Sequence, residues 1–401
     1  MKPRFLRNAV TLGLLSAIGP FAIDMYLPAL PAISRNLHAE GGAVQMTLTV
    51  FFIALSIGQP VCGALADRFG RKPPLYGGLA LFAAATVGCA TAPGLPALIV
   101  FRFLQGLGAC AGIVIPRAIV RDLHRGVEAT RLMSLIMLVF SVSPILAPLT
   151  GSFVIQHGGW RAIFWTVLVA ALLGLGIAAT LRETRSPAQR TQGGLSASLA
   201  AYGTLLRDPY FLGLSLTGTF GLASFFVYLS NSPFVLIEHY HLSPRLYSVL
   251  FSVNAAAFFA AAQLNAWLAE RIGLRALVRR ATSGCALAML ALLLVFVSGV
   301  DRLELLATFL FIGYGFLGLV LPTAAVLAFE EHGAIAGTAS ALLGTVQFAA
   351  GSGVMLLVSA FSNGTPMPMV AAIAGCAGLA WLLAQVTLRR SSEPRGAAAA
   401  E

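Results

Sequence analysis

The chain has 401 residues, 58% hydrophobic and 10% charged, with a net charge of +11. Soluble domains carry about 25% charged residues, so this composition leaves too little polar surface for a water-facing enzyme or binding module. The excess of positive charge points to nucleic acid only where it gathers into a patch, and here it is dispersed between long apolar runs.

A spanning helix needs about 20 apolar residues to cross a hydrocarbon core about 30 Å thick. Runs of this kind predict spans over 8–32, 45–66, 74–92, 95–117, 133–155 and 161–181, then over 210–236, 247–268, 277–298, 303–327, 336–360 and 367–388. The expected fold is therefore an all-α membrane protein of twelve transmembrane helices. Lys2, Arg4 and Arg7 before the first run resemble the start of a signal peptide. That run extends to about residue 32, lacks a small-x-small cleavage site and opens an array of similar segments, so it reads as the first span. The longest polar stretch, 182–209, contains Arg182, Glu183, Arg185, Pro187, Gln189, Arg190 and Gly193. It reads as a linker between a half at 1–181 and a half at 210–388, with a tail at 389–401.

Cytoplasmic loops are rich in Lys and Arg. With both termini in the cytoplasm, 21 of the 26 basic residues fall on the inner side and four (Arg35, Arg161, Arg245 and Arg302) on the outer. The remaining one, Arg102, lies inside a span. This bias explains the basic charge without nucleic acid and predicts a multi-pass protein of a bacterial inner membrane. The five cysteines all lie in apolar stretches without CxxC or zinc spacing, so they read as packing residues. His239 and His241 are neighbours, but nothing nearby completes a metal site. No metal or cofactor is expected.

The segment Leu65-Ala66-Asp67-Arg68-Phe69-Gly70-Arg71-Lys72 follows the second span. Leu268-Ala269-Glu270-Arg271-Ile272-Gly273-Leu274-Arg275 follows the eighth, at a constant offset. A parallel repeat of two six-helix halves is the plan of the major facilitator fold, so Asp67 should pair with Glu270, and Gly70 with Gly273, under a pseudo-two-fold axis.

The first of these loops reads Gly63-Ala64-Leu65-Ala66-Asp67-Arg68-Phe69-Gly70-Arg71-Lys72-Pro73 and resembles the signature loop of the major facilitator superfamily. Its glycines suit close helix approach and a tight turn. Asp67 is expected near Arg117 or Arg121 at the inner end of the fourth span, as a cytoplasmic gate. Two further segments, Asp24-Met25-Tyr26-Leu27-Pro28-Ala29-Leu30-Pro31 and Arg102-Phe103-Leu104-Gln105-Gly106, are similar to the twelve-helix drug/proton antiporters of the bicyclomycin/chloramphenicol resistance (Bcr/CflA) subfamily. In the fifth span Ser143, Pro144, Ala147, Pro148, Gly151 and Ser152 resemble the antiporter motif, with Ser143 and Ala147 where glycine is usual. The resemblance implies proton-coupled efflux of small drug-like molecules such as amphenicols or bicyclomycin-like compounds, by a monomer with a cavity bounded by helices 1, 4, 7 and 10.

Of all acidic residues only Asp24 falls well inside a span. A charge in hydrocarbon costs at least ~2.5–3.5 kcal/mol and so faces a cavity or a partner. Asp24 lies eight residues from the outer end of its predicted span and Arg102 seven from the outer end of its own, both roughly 10–12 Å deep at 1.5 Å per residue. One reading makes Asp24 the proton carrier, tuned by Arg102; the other makes the two a static buried pair. Tyr26, Gln105, Phe225, Tyr228, Asn231, Asn254 and Gln347 are candidate pocket residues. An exporter of a sugar, nucleoside or amino acid on the same fold stays open. A polytopic membrane enzyme lacks any paired acids, HExxH or Ser-His-Asp set to support it, and the absence of a Walker loop excludes direct drive by ATP.

Overall fold

The computed structural model describes residues 3–124, 126–185, 202–330, 332 and 336–390. Positions 186–201 of the predicted linker and 391–401 of the predicted tail lie outside the described residues. The helices are α1 (Pro3–Asp24), α2 (Leu30–Asn36), α3 (Gly41–Phe69), α4 (Lys72–Thr91), α5 (Leu95–Leu123) and α6 (Gly126–Thr180). After these come α7 (Pro209–Pro233), α8 (Pro244–Gln263), α9 (Asn265–Ile272), α10 (Leu274–Val297), α11 (Leu303–Phe329), α12 (Ala336–Ala360) and α13 (Met367–Arg390). Among the described residues eleven helical segments are long and apolar enough to cross a membrane. One of them, Arg131–Thr180, spans 50 residues, more than one crossing needs. It is divided at Gly159, where φ is +70°, a left-handed conformation that an L side chain disfavours. Counting its two parts gives twelve crossings. Leu173, Leu287 and Val297 are about two-thirds exposed, at 64%, 67% and 65%, as suits helices whose solvent is lipid.

The first predicted span is not one helix. α1 stops at Asp24, a turn follows, a 3₁₀ turn covers Leu27–Ala29, and α2 resumes at Leu30. The cause is Pro28. It has no N–H to donate to the carbonyl of Asp24 four residues earlier, and its ring would clash with that carbonyl. The eighth span is interrupted at Leu264, between α8 and α9. There Asn265 Nδ2 donates to the carbonyl of Gly318 at 3.1 Å, and its Oδ1 accepts from Thr323 Oγ1 at 2.8 Å.

The described residues fall into two compact units. In the first, α3 and α4 pack on α5, and α1 packs on α6. This unit also takes in 229–252 and 355–365. In the second, α10 packs on α11 and α13. A core there joins Phe211 and Leu214 of α7 to Val278, Leu327, Ala339 and Leu388. The repeat is visible in the backbone of each unit. Gly70 ends α3 with φ +93°, and Gly273 ends α9 with φ +80°. Both positions break one helix and start the next with a conformation open to glycine.

Candidate functional site

Asp24 is the last residue of α1 and is 4% exposed. Its carboxylate accepts a long hydrogen bond, 3.5 Å, from Ser143 Oγ on α6. Ser143 thus stands where the resemblance leads one to expect glycine and supplies a donor that glycine lacks. About two turns further along, Gly151 meets the break itself. A Cβ there would lie 2.2 Å from the carbonyl oxygen of Met25 and 3.0 Å from its carbon. The antiporter-like stretch of α6 therefore holds the break through one hydroxyl and one missing side chain. Pro144 and Pro148 lie between them, inside α6.

Arg102 of α5 is fully buried, but it does not pair with Asp24. Its Nη1 donates to Gln105 Oε1 at 2.7 Å, and its Nε to the carbonyl of Thr47 at 3.4 Å. The guanidinium carbon lies 4.4 Å from the Tyr26 ring centre and 4.5 Å from that of Phe51, within cation–π range. Nη2 has no hydrogen-bond partner among the described residues. The reading of Asp24 and Arg102 as a charge pair is corrected by the break. Asp24 ends α1 toward α6, and Tyr26, two residues on, is what reaches Arg102. Similar depth did not mean contact. Tyr26 and Gln105, offered as pocket residues, are both fully buried within this cluster. Tyr26 Oη shares a hydrogen bond with Thr47 Oγ1 at 2.8 Å, and Gln105 Nε2 donates to Thr86 Oγ1 at 2.8 Å.

The other candidates separate into groups. Asn231 accepts from Gln45 Nε2 at 3.1 Å, in the first unit. In the same unit Ser248 Oγ donates to the carbonyl of Pro148 at 2.8 Å, and Ser252 Oγ to that of Ile145 at 2.7 Å. These contacts tie the start of α8 to the proline-bearing stretch of α6. Phe225, Tyr228 and Asn254 come together in the second unit. Asn254 Nδ2 donates to Tyr228 Oη at 2.9 Å. Phe225 has its ring centre 5.6 Å from that of Tyr314 and 6.3 Å from that of Phe258. Gln347 is half-buried on α12, facing Gly218 of α7.

At the loop between α3 and α4, Arg71 is 6% exposed. It donates to Asp67 Oδ1 at 2.8 Å and, in a fork, to both oxygens of Asp122 at 2.7 and 3.1 Å. The expected contact of Asp67 with Arg117 or Arg121 is not formed: Asp67 pairs with Arg71 and Arg185. The loop instead reaches α5 through Asp122, one residue beyond Arg121. Arg117 is half-buried, and Arg68 and Arg121 are exposed. Arg68 lies over the Phe69 ring and Lys72 over the Tyr76 ring. Gly63 does not serve close approach, since a Cβ there would still be 3.9 Å from Val114.

Three consecutive linker residues, not foreseen as functional, strap this loop. Glu183 accepts from the backbone N–H of Arg71 at 2.9 Å and of Lys72 at 3.0 Å. Thr184 Oγ1 donates to Asp122 at 2.9 Å, and Arg185 pairs with Asp67. An acid at the start of α4 also complements the helix dipole. The available signal was an acid and a base straight after a span, matching an acid and bases in the loop. Partial burial works to raise Glu183, but N–H donors from Lys72, Arg71, Arg185 and Thr184 hold its carboxyl below the ordinary range. Its stabilisation is therefore present above the usual glutamate pKa and lost as the pH falls through the lower folded value. Glu183→Gln should cost about 0.3–1 kcal/mol at neutral pH and remove that part of the acid sensitivity. Thermal melting of both forms at neutral and acid pH checks this; parallel acid profiles would contradict the assignment.

Among the described residues no three His, Cys, Asp or Glu are placed to hold a metal. The chain is 37% identical to an uncharacterized MFS-type transporter, YdgK, of Bacillus subtilis (strain 168), over 91% of each chain. It is 32% identical to multidrug resistance protein D of Escherichia coli (strain K12), over 90% of each. It is 30% identical to a chloramphenicol resistance protein of Pseudomonas aeruginosa, over 89% of this chain and 84% of that one. Its fold is similar to that of the human organic anion transporter MFSD10, with a TM-score of 0.72 at 20% identity, covering 96% of this chain and 100% of that one. The Major Facilitator Superfamily profile matches residues 12–355. That match covers both copies of the repeated loop and the break in the first span, and the chain belongs to the Major Facilitator Superfamily.

Proposed function

We propose that this transporter is a proton-driven exporter of small drug-like molecules, with Asp24 as the proton carrier. The observation that carries the reading is a carboxyl buried at a break in the first span, touched by one hydroxyl and, among the described residues, paired with no cation. A buried charge without a partner is costly, and such a group sheds the cost by taking a proton. When water reaches it from one side and then the other, it takes a proton up and gives it back. The names of the relatives support drugs as the cargo class. The Phe225–Tyr228–Asn254–Tyr314 cluster offers aromatic faces and one amide of the kind that bind such molecules.

In this reading the protein works as a monomer in the inner membrane, as two six-helix halves with both termini cytoplasmic. The charge bias toward the Asp67 side supports that orientation. The Asp67–Arg71–Asp122 network and its strap act as the cytoplasmic gate. The Ser248, Ser252 and Gln45–Asn231 contacts act as the opposite seal, which must part for release. The test is drug accumulation in cells that express the protein, with and without an uncoupler. Expression should lower accumulation, and the uncoupler should restore it. Efflux that survives the collapse of the proton gradient would rule out proton drive, and no efflux of any drug, with export of a sugar, nucleoside or amino acid, would favour a metabolite cargo.

A further inference from the structure

We propose that a crevice between α10 and α13 binds the headgroup of an anionic phospholipid. The crevice encloses about 300 Å³ and is lined by Ser283, Trp381, Leu382, Gln385, Val386 and Arg389. It opens at the basic end of the second unit, where Arg275, Arg279 and Arg280 stand in the first two turns of α10 and Arg389 in the last turn of α13. A ladder of polar groups climbs from there. Arg279 Nε donates to Gln385 Oε1 at 3.0 Å. Gln385 Nε2 lies 3.4 Å from Ser283 Oγ, and Trp381 Nε1 donates to the same oxygen at 3.1 Å. Ser283 is nine residues into α10, roughly 13 Å from its start at 1.5 Å per residue.

This ladder is on the outside of the unit. Arg279 and Arg389 are exposed, and Trp381, Leu382 and Val386 are 39%, 52% and 45% exposed. Polar groups facing hydrocarbon are costly unless something satisfies them. A phospholipid satisfies each part. Its phosphate fits the fork of Arg279, whose two Nη groups make no hydrogen bond to the described residues while Gln385 holds Nε and fixes the plane. Arg389 flanks the same opening. Trp381 stands about two turns deeper than Arg389 on the same helix, and with Leu382 and Val386 it offers an apolar wall along which the acyl chains lie. A negative headgroup is favoured because basic pockets between helices attract anionic lipid. A free phosphate would use the arginines but leave the apolar wall without purpose.

The test uses the full chain, purified in neutral detergent. Phosphatidylglycerol or phosphatidylcholine with brominated acyl chains is added, and quenching of tryptophan fluorescence is followed. Phosphatidylglycerol should quench at lower concentration than phosphatidylcholine, and Trp381→Phe should lose that component. Arg279→Gln with Arg389→Gln should raise the phosphatidylglycerol needed at least about tenfold, two surface arginines being lost. Should that pair of changes prevent purification, Arg279→Lys with Arg389→Lys keeps the charge, loses the fork, and should still weaken quenching. Equal quenching by the two lipids, or an unchanged response in Trp381→Phe or in the arginine variants, would overturn the proposal. Displacement of the lipid by excess inorganic phosphate would instead mark a free-phosphate site and overturn it as well.

Discussion

Replacing Asp24 by Asn should abolish uncoupler-sensitive efflux while leaving the protein folded and inserted in the membrane. Asn keeps the shape and accepts the same hydrogen bond from Ser143, but it cannot release a proton. The proposed coupling rests on one group, so nothing stands ready to replace it. One charge moved through 100 mV is worth ~2.3 kcal/mol, which sets a bias of about fiftyfold at ~1.4 kcal/mol per decade; that bias should vanish, and drug accumulation should match cells lacking the protein. Asp24→Glu should retain part of the activity, since the titratable group moves by about one methylene. Arg102 provides the contrast. Its guanidinium is held by Gln105, Tyr26 and Phe51 rather than by Asp24. Arg102→Lys loses the planar stack and should lower the efflux rate, yet leave what remains sensitive to the uncoupler. If Asp24→Asn still builds a gradient that collapses with the proton gradient, Asp24 is not the carrier.

The second large effect is expected at Gly151. A methyl there would lie 2.2 Å from the carbonyl oxygen of Met25 and 3.2 Å from its Cα. Both are backbone atoms, so no side chain can swing aside. Forcing extra volume into a packed contact costs about 1–3 kcal/mol. The strain falls on the residue next to Asp24, so relief by moving the break also moves the carboxyl away from Ser143. Gly151→Ala should therefore lower the thermal melting point and reduce efflux severely at equal expression. Gly159→Ala serves as a comparison. A Cβ at that position meets nothing within 4 Å, and its effect should come from its positive φ alone, raising no clash at the break. A Gly151→Ala protein with the melting point and transport of the wild type would show that the break tolerates displacement.

The number of helices was legible because hydrocarbon imposes one simple rule on composition and length. Apolar runs of about 20 residues can be counted without knowing what they touch, and the two breaks in otherwise apolar spans did not disturb the count. The loop repeat was legible because Gly70 and Gly273 serve the same local need, a left-handed residue between two helices. A lone acid in an apolar run was equally visible, since its cost does not depend on its neighbours. The end of α1 at Asp24 was present in the spacing of Pro28, four residues on, but reads as a break only when the i−4 carbonyl is considered. Partners were another matter. Asp24 and Arg102 share a depth but point to different helices, and Asp67 chose Arg71 and Arg185 over Arg117 and Arg121. Such choices depend on the rotation of each helix about its axis and on which segment folds back across a loop. Sequence by itself determined how many times this chain crosses the membrane and where its costly charges lie. Only the packing of the helices decided which groups those charges meet, because a contact between residues distant along the chain is fixed by side chains on both sides of it.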